Sequence, residues 1–348
     1  MRMKYDVVII GGGQAGLSMG FYLKKSDLSF IILDQAKEVG ASWKERYDSL
    51  TLFTPRVYSS VPGFMFSGDQ EGYPTKDEVV EYLSAYAKEF TLPIQHNTEV
   101  QKLVQVENGF QVLTNQGEWF ARKVVVATGP FQKPFVPAFS KELSESVFQL
   151  HSSQYKNATQ LNKGSVLVVG GGNSGAQIAV ELAKKREVYL SAGHKLKFLP
   201  LYIGKRNLFW WFDVLGVYRA PVHSKVGKFI QKQPDPIIGL ELKALLKKGK
   251  ITLKSRTTAI KQDHFMFADG SEVSVKNVIW STGFRSDYQW IDVAGVLDEN
   301  GTPLHERGVT SIHGLYFLGL PWQFNRSSAL LQGVGEDAQY LIQHIMKK

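Results

Sequence analysis

Two short strings carry most of the chemistry legible in this 348-residue chain, VVIIGGGQAG at 7–16 and VLVVGGGNSG at 166–175. Each sets G-x-G-x-x-G directly after a β-branched apolar run, as Gly11, Gly13 and Gly16 and again as Gly170, Gly172 and Gly175. In such a turn the first glycine permits the sharp reversal, and the second lets the backbone approach a pyrophosphate. The third lets helix pack on strand, and the amino end of the helix attracts the anion. One match is weak evidence; two, each running from strand into helix, imply two bound dinucleotides. Asn173 and Ser174, inside the second turn, join the candidate cofactor-binding residues.

The ends of the next strands distinguish the two sites. The strand over 30–33 ends at Asp34, with Gln35 beside it, about 20 residues past the first turn, where a carboxylate accepts hydrogen bonds from both hydroxyls of an adenosine ribose. An acid that caps a loop is the plainer alternative. The strand over 188–190 ends in Ser191, Ala192, Gly193, His194 and Lys195 with no acid. Hydroxyl, imidazole and ammonium donors there suit a 2′-phosphate that a carboxylate would repel. The first site is therefore expected to take FAD and the second NADPH. No arginine follows this strand to clamp the phosphate, so the expected selectivity is weak, with NADH also accepted.

Stepping outward, the pattern predicts helices over 15–25 and 76–90 and a small antiparallel excursion over 110–120 that turns at Asn115–Gly117. The strand at 124–127 runs into Thr128 and Gly129, and that at 278–280 into Ser281, Thr282 and Gly283, so each nucleotide unit closes the same way. The expected fold is α/β, with two Rossmann-like dinucleotide-binding domains, each a three-layer β/β/α stack. The FAD domain takes 1–149 and 284–348, and the NAD(P) domain, 150–283, is inserted into it. Pro130, Pro134 and Pro137 mark one crossing and residues 285–290 the other. Within the insert, 198–239 mixes Phe209, Trp210, Trp211, Phe212 and Tyr218 with Gly and Pro. A buried helical insertion, a substrate lid and a subunit interface all fit that composition.

The chain contains no cysteine, which excludes disulfide frameworks, thiolate metal sites and a redox dithiol; no metal site is expected. Its excess of nine basic residues is scattered, and no motif interleaves it with aromatics, so no nucleic-acid partner is expected. No apolar run nears the roughly 20 residues of a membrane helix. The basic start meets glycines after only Val7–Ile10, unlike a signal peptide, and the cytoplasm is the expected location. A homodimer is the base-rate expectation.

Together the two fingerprints, the closures, HSSQY at 151–155, GASW at 40–43, RYDSLTLFTP at 46–55 and GLYFLGLPW at 314–322 resemble the flavin-containing monooxygenases, a family that includes the Baeyer–Villiger enzymes. SSALLQGVGEDA at 327–338 is most similar to small bacterial members associated with cation efflux. The resemblance covers nearly the whole chain. It implies an NAD(P)H-dependent FAD monooxygenase that forms a C4a-hydroperoxyflavin and oxygenates sulfides, amines or ketones with molecular oxygen. It also implies flavin contacts from Gln14, Ala15, Ser42, Trp43, Thr128 and Gly129 and from the backbone near Val100 and Leu320, with coenzyme contacts reaching Thr282 and Gly283. Trp43 is either the aromatic against the isoalloxazine or a core tryptophan. His151 and Tyr155 fall at the domain junction, as a hinge or coenzyme-positioning pair or as plain structure. Gln323 and Asn325, with Arg326 beyond them, face flavin or substrate, or else form a surface loop. Two departures stand out. Glu145 and Val147 replace the Phe and Gly of the family fingerprint, and Phe53 occupies the substrate-pocket position where eukaryotic-type members carry Asn. Loss of that amide keeps a second outcome open, an NAD(P)H oxidase or flavin reductase without productive oxygen transfer. A redox sensor without catalysis is a third.

Overall fold

The computed structural model describes residues 3–347. Met1, Arg2 and Lys348, which the sequence assigns to the first domain, lie outside the described residues. Strand Met3–Ile10 turns through Gly11 into helix α1 (Gln14–Leu23), and Phe30–Leu33 then pairs parallel to it. Helix α1 ends two residues before 25 because Lys25 N–H bonds Tyr22 O, which tightens the last turn. After a single turn of helix, α2 (Ala41–Lys44), comes α3 (Lys76–Glu89), held at its start by a capping box. Thr75 Oγ1 accepts from Glu78 N at 3.3 Å, and Glu78 Oε2 accepts from Thr75 N at 2.8 Å. Such a cap stabilises a helix by about 1 kcal/mol.

The first sheet has a parallel part in the order Ile94–Gln95, Phe30–Leu33, Met3–Ile10, Gly117–Val126, Leu315–Phe317. Gly117–Val126 serves two neighbours. Its beginning pairs antiparallel with Gly109–Thr114, and its last three residues pair parallel with Leu315–Phe317. Because strand side chains alternate, Val7 and Ile9 face one core, built with α1, α3 and the last helix, whereas Val8 and Ile10 face another under the meander that holds Phe110, Val112 and Trp119. All four of those strand residues are buried; each contributes about 1.5–3 kcal/mol relative to exposure.

The second unit repeats this plan. Its parallel sheet runs Ile251–Lys254, Val188–Ser191, Val166–Val169, Asn277–Trp280, Phe148–His151, and an antiparallel meander spans Thr257–Lys261, His264–Phe267 and Glu272–Ser274. Phe148 and Gln149 already belong to this sheet. Helix α4 (Asn173–Leu182) follows the second glycine turn; α5 (Leu208–Val214) and α6 (Lys225–Gln231) lie in the aromatic segment, and α7 (Glu241–Lys247) packs beside α4. Helix α8 (Val334–Ile345) returns the chain to α1. The two crossings pair with each other, since Lys133–Pro134 is antiparallel to Phe284–Arg285. The fold is thus α/β, with two Rossmann-like three-layer units. No helix among the described residues is long and apolar enough to cross a membrane.

Candidate functional site

Both glycine turns have the same backbone logic. Gly11 and Gly170 sit at φ +109° and +122°, so a side chain would be strained there, and a Cβ would also lie 2.6 Å from Ala127 O or 2.1 Å from Ser281 O. A Cβ on Gly16 or Gly175 would lie 1.9 or 2.0 Å from the carbonyl of the first glycine of its own turn. At Gly13 and Gly172 no heavy atom stands within 4 Å of a Cβ. Each of these two residues caps its helix without a side-chain hydrogen bond. The first N–H groups of α1 and α4 are therefore free to meet a pyrophosphate, and the room that a Cβ would take is the cradle's own. The residues present fit two dinucleotides.

Asp34 lies directly over the first turn, where a Cβ on Gly12 would come within 2.4 Å of its Oδ2. Oδ1 accepts from Ala36 N at 3.2 Å. Burial pushes this carboxylate's pKa up, against smaller lowering by Ala36 N–H, His96 and Gly12 N–H; a ribose diol supplies donors for such a group. Gln35 points into solvent. Gln14 bridges its neighbours, donating Nε2 to Ala329 O at 3.2 Å and accepting Trp43 Nε1 at 3.3 Å. Trp43 is partly buried against the first core, Ala15 is buried, and Ser42 is exposed. Thr128 Oγ1 and Gly129 O both take Gln132 Nε2, at 2.9 and 2.8 Å. Val100 opens the strand Val100–Val106, the first of the meander, and Leu320 N donates to Gln323 Oε1 at 3.2 Å.

The second site departs from the sequence reading in two respects. Ser191 is buried, and its hydroxyl donates to Ser255 O at 2.8 Å while accepting Thr257 N at 3.0 Å, so it offers no donor to a phosphate. Strand register explains this. Leu33 pairs with Ile10 and Ser191 with Val169, so the counterpart of Asp34 is Ala192, one residue further on. An arginine is present after all. Arg256 arrives from the neighbouring strand end and donates Nη2 to Gly193 O at 3.4 Å. No spacing rule links 256 to 193; only the parallel pairing of Ile251–Lys254 with Val188–Ser191 does. His194 and Lys195 are exposed and line, with Ala192, Phe198 and Leu246, a cleft of about 410 Å³. Asn173 ties down the segment 236–238, donating to Pro236 O at 3.1 Å and accepting Ile238 N at 3.0 Å.

The junction is densely bonded. His151 Nε2 donates to Gly283 O at 3.0 Å and Nδ1 accepts Ser153 N at 3.1 Å, which fixes the neutral tautomer. Burial, with Arg46 nearby, pushes its pKa down despite the Gly283 bond. Thr282 Oγ1 donates to Phe135 O. Tyr155 is fully buried, and its hydroxyl donates to Glu181 Oε1 at 2.8 Å on α4. From the first unit, Tyr47 reaches Gln177 Oε1 at 2.5 Å and the Ser174 hydroxyl, and burial pushes Tyr47 up to about 12.

The aromatic segment covers the first unit's loops. Phe209 is buried among Phe53 (ring centroids 6.2 Å apart), Tyr58 and Tyr218, Asn207 Nδ2 donates to Glu71 Oε2 at 2.7 Å, and Val222 N donates to Phe324 O at 2.7 Å. Its outer face leaves Leu215 and Phe229 exposed. Gln323 is buried, and among the described residues its side chain accepts Leu320 N and donates to Arg307 O, which ties its loop to the segment at Arg307. Asn325 is buried with Oδ1 accepting Ser327 N at 2.9 Å, while its amide nitrogen bonds nothing among the described residues. These residues also hold no cluster of three His, Cys, Asp or Glu able to bind a metal.

Comparison with known proteins agrees with this geometry. Residues 8–196 match the model of the family described as pyridine nucleotide-disulphide oxidoreductase. An uncharacterized oxidoreductase, CzcO-like, of Geobacillus kaustophilus is 57% identical over 99% of this chain and 99% of its own. The probable indole-3-pyruvate monooxygenase YUCCA3 of Arabidopsis thaliana is 26% identical over 90% of this chain and 81% of its own. The solved flavin-containing monooxygenase of Stenotrophomonas maltophilia superposes with a TM-score of 0.83 at 28% identity, covering 99% of this chain and 98% of that one. With two dinucleotide cradles and these relatives, the chain belongs to the pyridine nucleotide-disulphide oxidoreductase family, as an NAD(P)H-dependent flavoprotein oxidoreductase similar to the flavin monooxygenases.

Proposed function

We propose that the chain is an FAD monooxygenase that draws on NADPH, and also on NADH, to oxygenate small soft nucleophiles such as sulfides and amines, or ketones. The carrying observation is that a chain built to bring a nicotinamide to a flavin contains no cysteine. Electrons that reach the flavin find no protein thiol to reduce and must leave on a diffusible acceptor. Reduced flavin supplies the activation of oxygen when bound. In this reading the 1–149 and 284–348 segments hold FAD through Gly11, Gly13 and Asp34, and the 150–283 insert holds the coenzyme through Gly170, Gly172 and the cleft beside His194. The protein's part is to orient and to keep water out. Gln14 fixes Trp43 at the cradle's edge, and Phe53, Phe209 and Tyr218 make an apolar wall across the first unit's loops. The ketone class is supported by the oxo acid in the name of the YUCCA relative.

The test is an oxygen electrode with the purified yellow protein, NADPH or NADH, and a panel of sulfides, amines and ketones. Product matching oxygen consumed, with little peroxide, is the expected result. Phe53 makes one other outcome specific, because an apolar ring at this position provides no hydrogen bond. Stoichiometric peroxide whatever the panel member would replace the proposal with an NAD(P)H oxidase.

A further inference from the structure

The guanidinium of Arg46 has an environment that the cradles do not account for. It lies 4.7 Å from the ring centroid of Phe131 and 5.3 Å from that of Phe284. Phe131 comes just after the first closure, Thr128 and Gly129, and Phe284 directly after the second, Thr282 and Gly283. Arg46 therefore stands between the two closures, at the carboxyl ends of strands from both sheets, where open α/β sheets take their ligands. Among the described residues no carboxylate lies within ion-pair distance of it, and its side chain donates no hydrogen bond. Arg206 and Arg285 also stack on rings, but both are exposed to water. Arg46 is partly buried, and loss of solvent pushes its pKa down from the usual arginine value. Tyr47 and Glu45 oppose that shift without forming an ion pair, and a guanidinium keeps its charge regardless, so this half-buried group has donors to offer an arriving anion. The two rings, 5.2 Å apart and inclined at 70° to each other, lie on one side of the guanidinium, which leaves its remaining N–H groups for a bidentate oxyanion. Beside it the ring of Phe131 is 62% exposed, a bare apolar surface suited to the flat part of the same ligand.

We propose that Arg46 is an oxyanion site at the mouth between the two units, taking a carboxylate or phosphate of the ligand that enters there. The inference rests on the two-dinucleotide reading above and adds a residue that the glycine turns do not involve. Two sources carry this chemistry, the diphosphate of the coenzyme and the carboxylate of an acidic substrate. Equilibrium titration of the flavin-loaded protein, read by tryptophan and flavin fluorescence, separates them. NADP⁺ is the coenzyme probe, with 2′,5′-ADP, which lacks the nicotinamide half, as its control; phenylacetate is the carboxylate probe, with neutral phenylacetamide as its control.

R46Q is expected to weaken one probe by roughly tenfold to a hundredfold and to leave the matched control within about twofold. R46K, which keeps the charge but not the fork, should fall between. A loss on NADP⁺ assigns the coenzyme, and a loss on phenylacetate assigns an acidic substrate. If R46Q retains flavin and shows no loss on either probe, the assignment is overturned. If R46Q does not retain flavin, R46K takes its place, and unchanged affinities there overturn it equally. Failure of the unsubstituted protein to bind NADP⁺ at all would instead bring down the two-dinucleotide reading, and this inference with it.

Discussion

The two glycine turns are near copies in backbone and differ in what lies over them. The first glycines share a positive φ, the third glycines press equally close on the first, and the second glycines open on empty space. Over Gly12, however, lies the carboxylate of Asp34, while over Gly171 a Cβ would meet Ala192 Cβ at 2.9 Å and Leu196 Cδ2 at 2.7 Å. Phosphate capture is thus a property of backbone and helix end, common to both units. On the proposed reading, choice of ribose falls to the one residue after the second strand of each, Asp34 and Ala192.

The strongest way to break this comparison is to fill one cradle at a time. Gly13→Leu places a side chain where no heavy atom stands within 4 Å, so the fold should survive while the pyrophosphate position is blocked. The expected protein is colourless, with an unchanged far-ultraviolet circular dichroism spectrum. Gly172→Leu should stay yellow and lose NADPH affinity beyond measurement. A yellow Gly13→Leu protein, or a colourless Gly172→Leu protein, would mean that the turns do not act separately.

Next in size is an exchange of the residues over the turns. Asp34→Ala removes two charge-assisted hydrogen bonds and should weaken FAD by roughly a hundredfold or more. The sign reverses for the flavin-free protein. Burial raises the folded pKa of Asp34 above 3.8, so the stability tied to its neutral form is present at lower pH and lost as pH rises through the folded value. Flavin-free Asp34→Asn should therefore unfold at higher urea than the unsubstituted protein at neutral pH. In the other direction, Ala192→Asp sets a carboxylate against the 2′-phosphate and should shift the NADPH to NADH ratio of kcat/KM by about tenfold to a hundredfold towards NADH. Arg256→Ala should move the same ratio by about tenfold, the low end for an exposed cation.

Much of this comparison is legible in the chain because it is local. Apolar strand, glycine turn, helix and Asp34 follow one another within 34 residues, and hydrophobic periodicity makes α3 visible as a helix. What sequence alone misplaces depends on pairing between distant segments. Ser191 reads as an exposed donor until the register places it opposite Val169, and Arg256 reads as a stray cation until its strand lies beside Val188–Ser191. Gln323 and Asn325 read alike in sequence; in the fold both the oxygen and the nitrogen of the glutamine's amide bond backbone, whereas of the asparagine's only the oxygen does among the described residues. The aromatic segment shows its composition in sequence, but its docking on Phe53, Glu71 and Phe324 is tertiary.

The closures offer the finest contrast. Gly129 O accepts the amide of Gln132 at 2.8 Å, a donor that does not titrate, whereas Gly283 O accepts the imidazole of His151 at 3.0 Å. With its pKa lowered by burial and by Arg46, His151 is neutral in the fold, so its contribution is intact above about pH 6.5 and is lost as pH falls through that value towards the folded pKa. Protonation removes Nδ1 as the acceptor for Ser153 N and adds a charge beside Arg46. His305, also lowered by burial, contributes a slope of the same sign, so His151 accounts for only part of it. Between pH 7 and 5 the urea midpoint should fall, and H151N should flatten the fall by no more than one proton's worth, about 1.4 kcal/mol per pH unit. Because the second closure alone carries the histidine, the acid-sensitive step should weaken NADP⁺ binding before flavin is released. Simultaneous loss of the two would place the dominant titrating group in the first unit, where His305 lies.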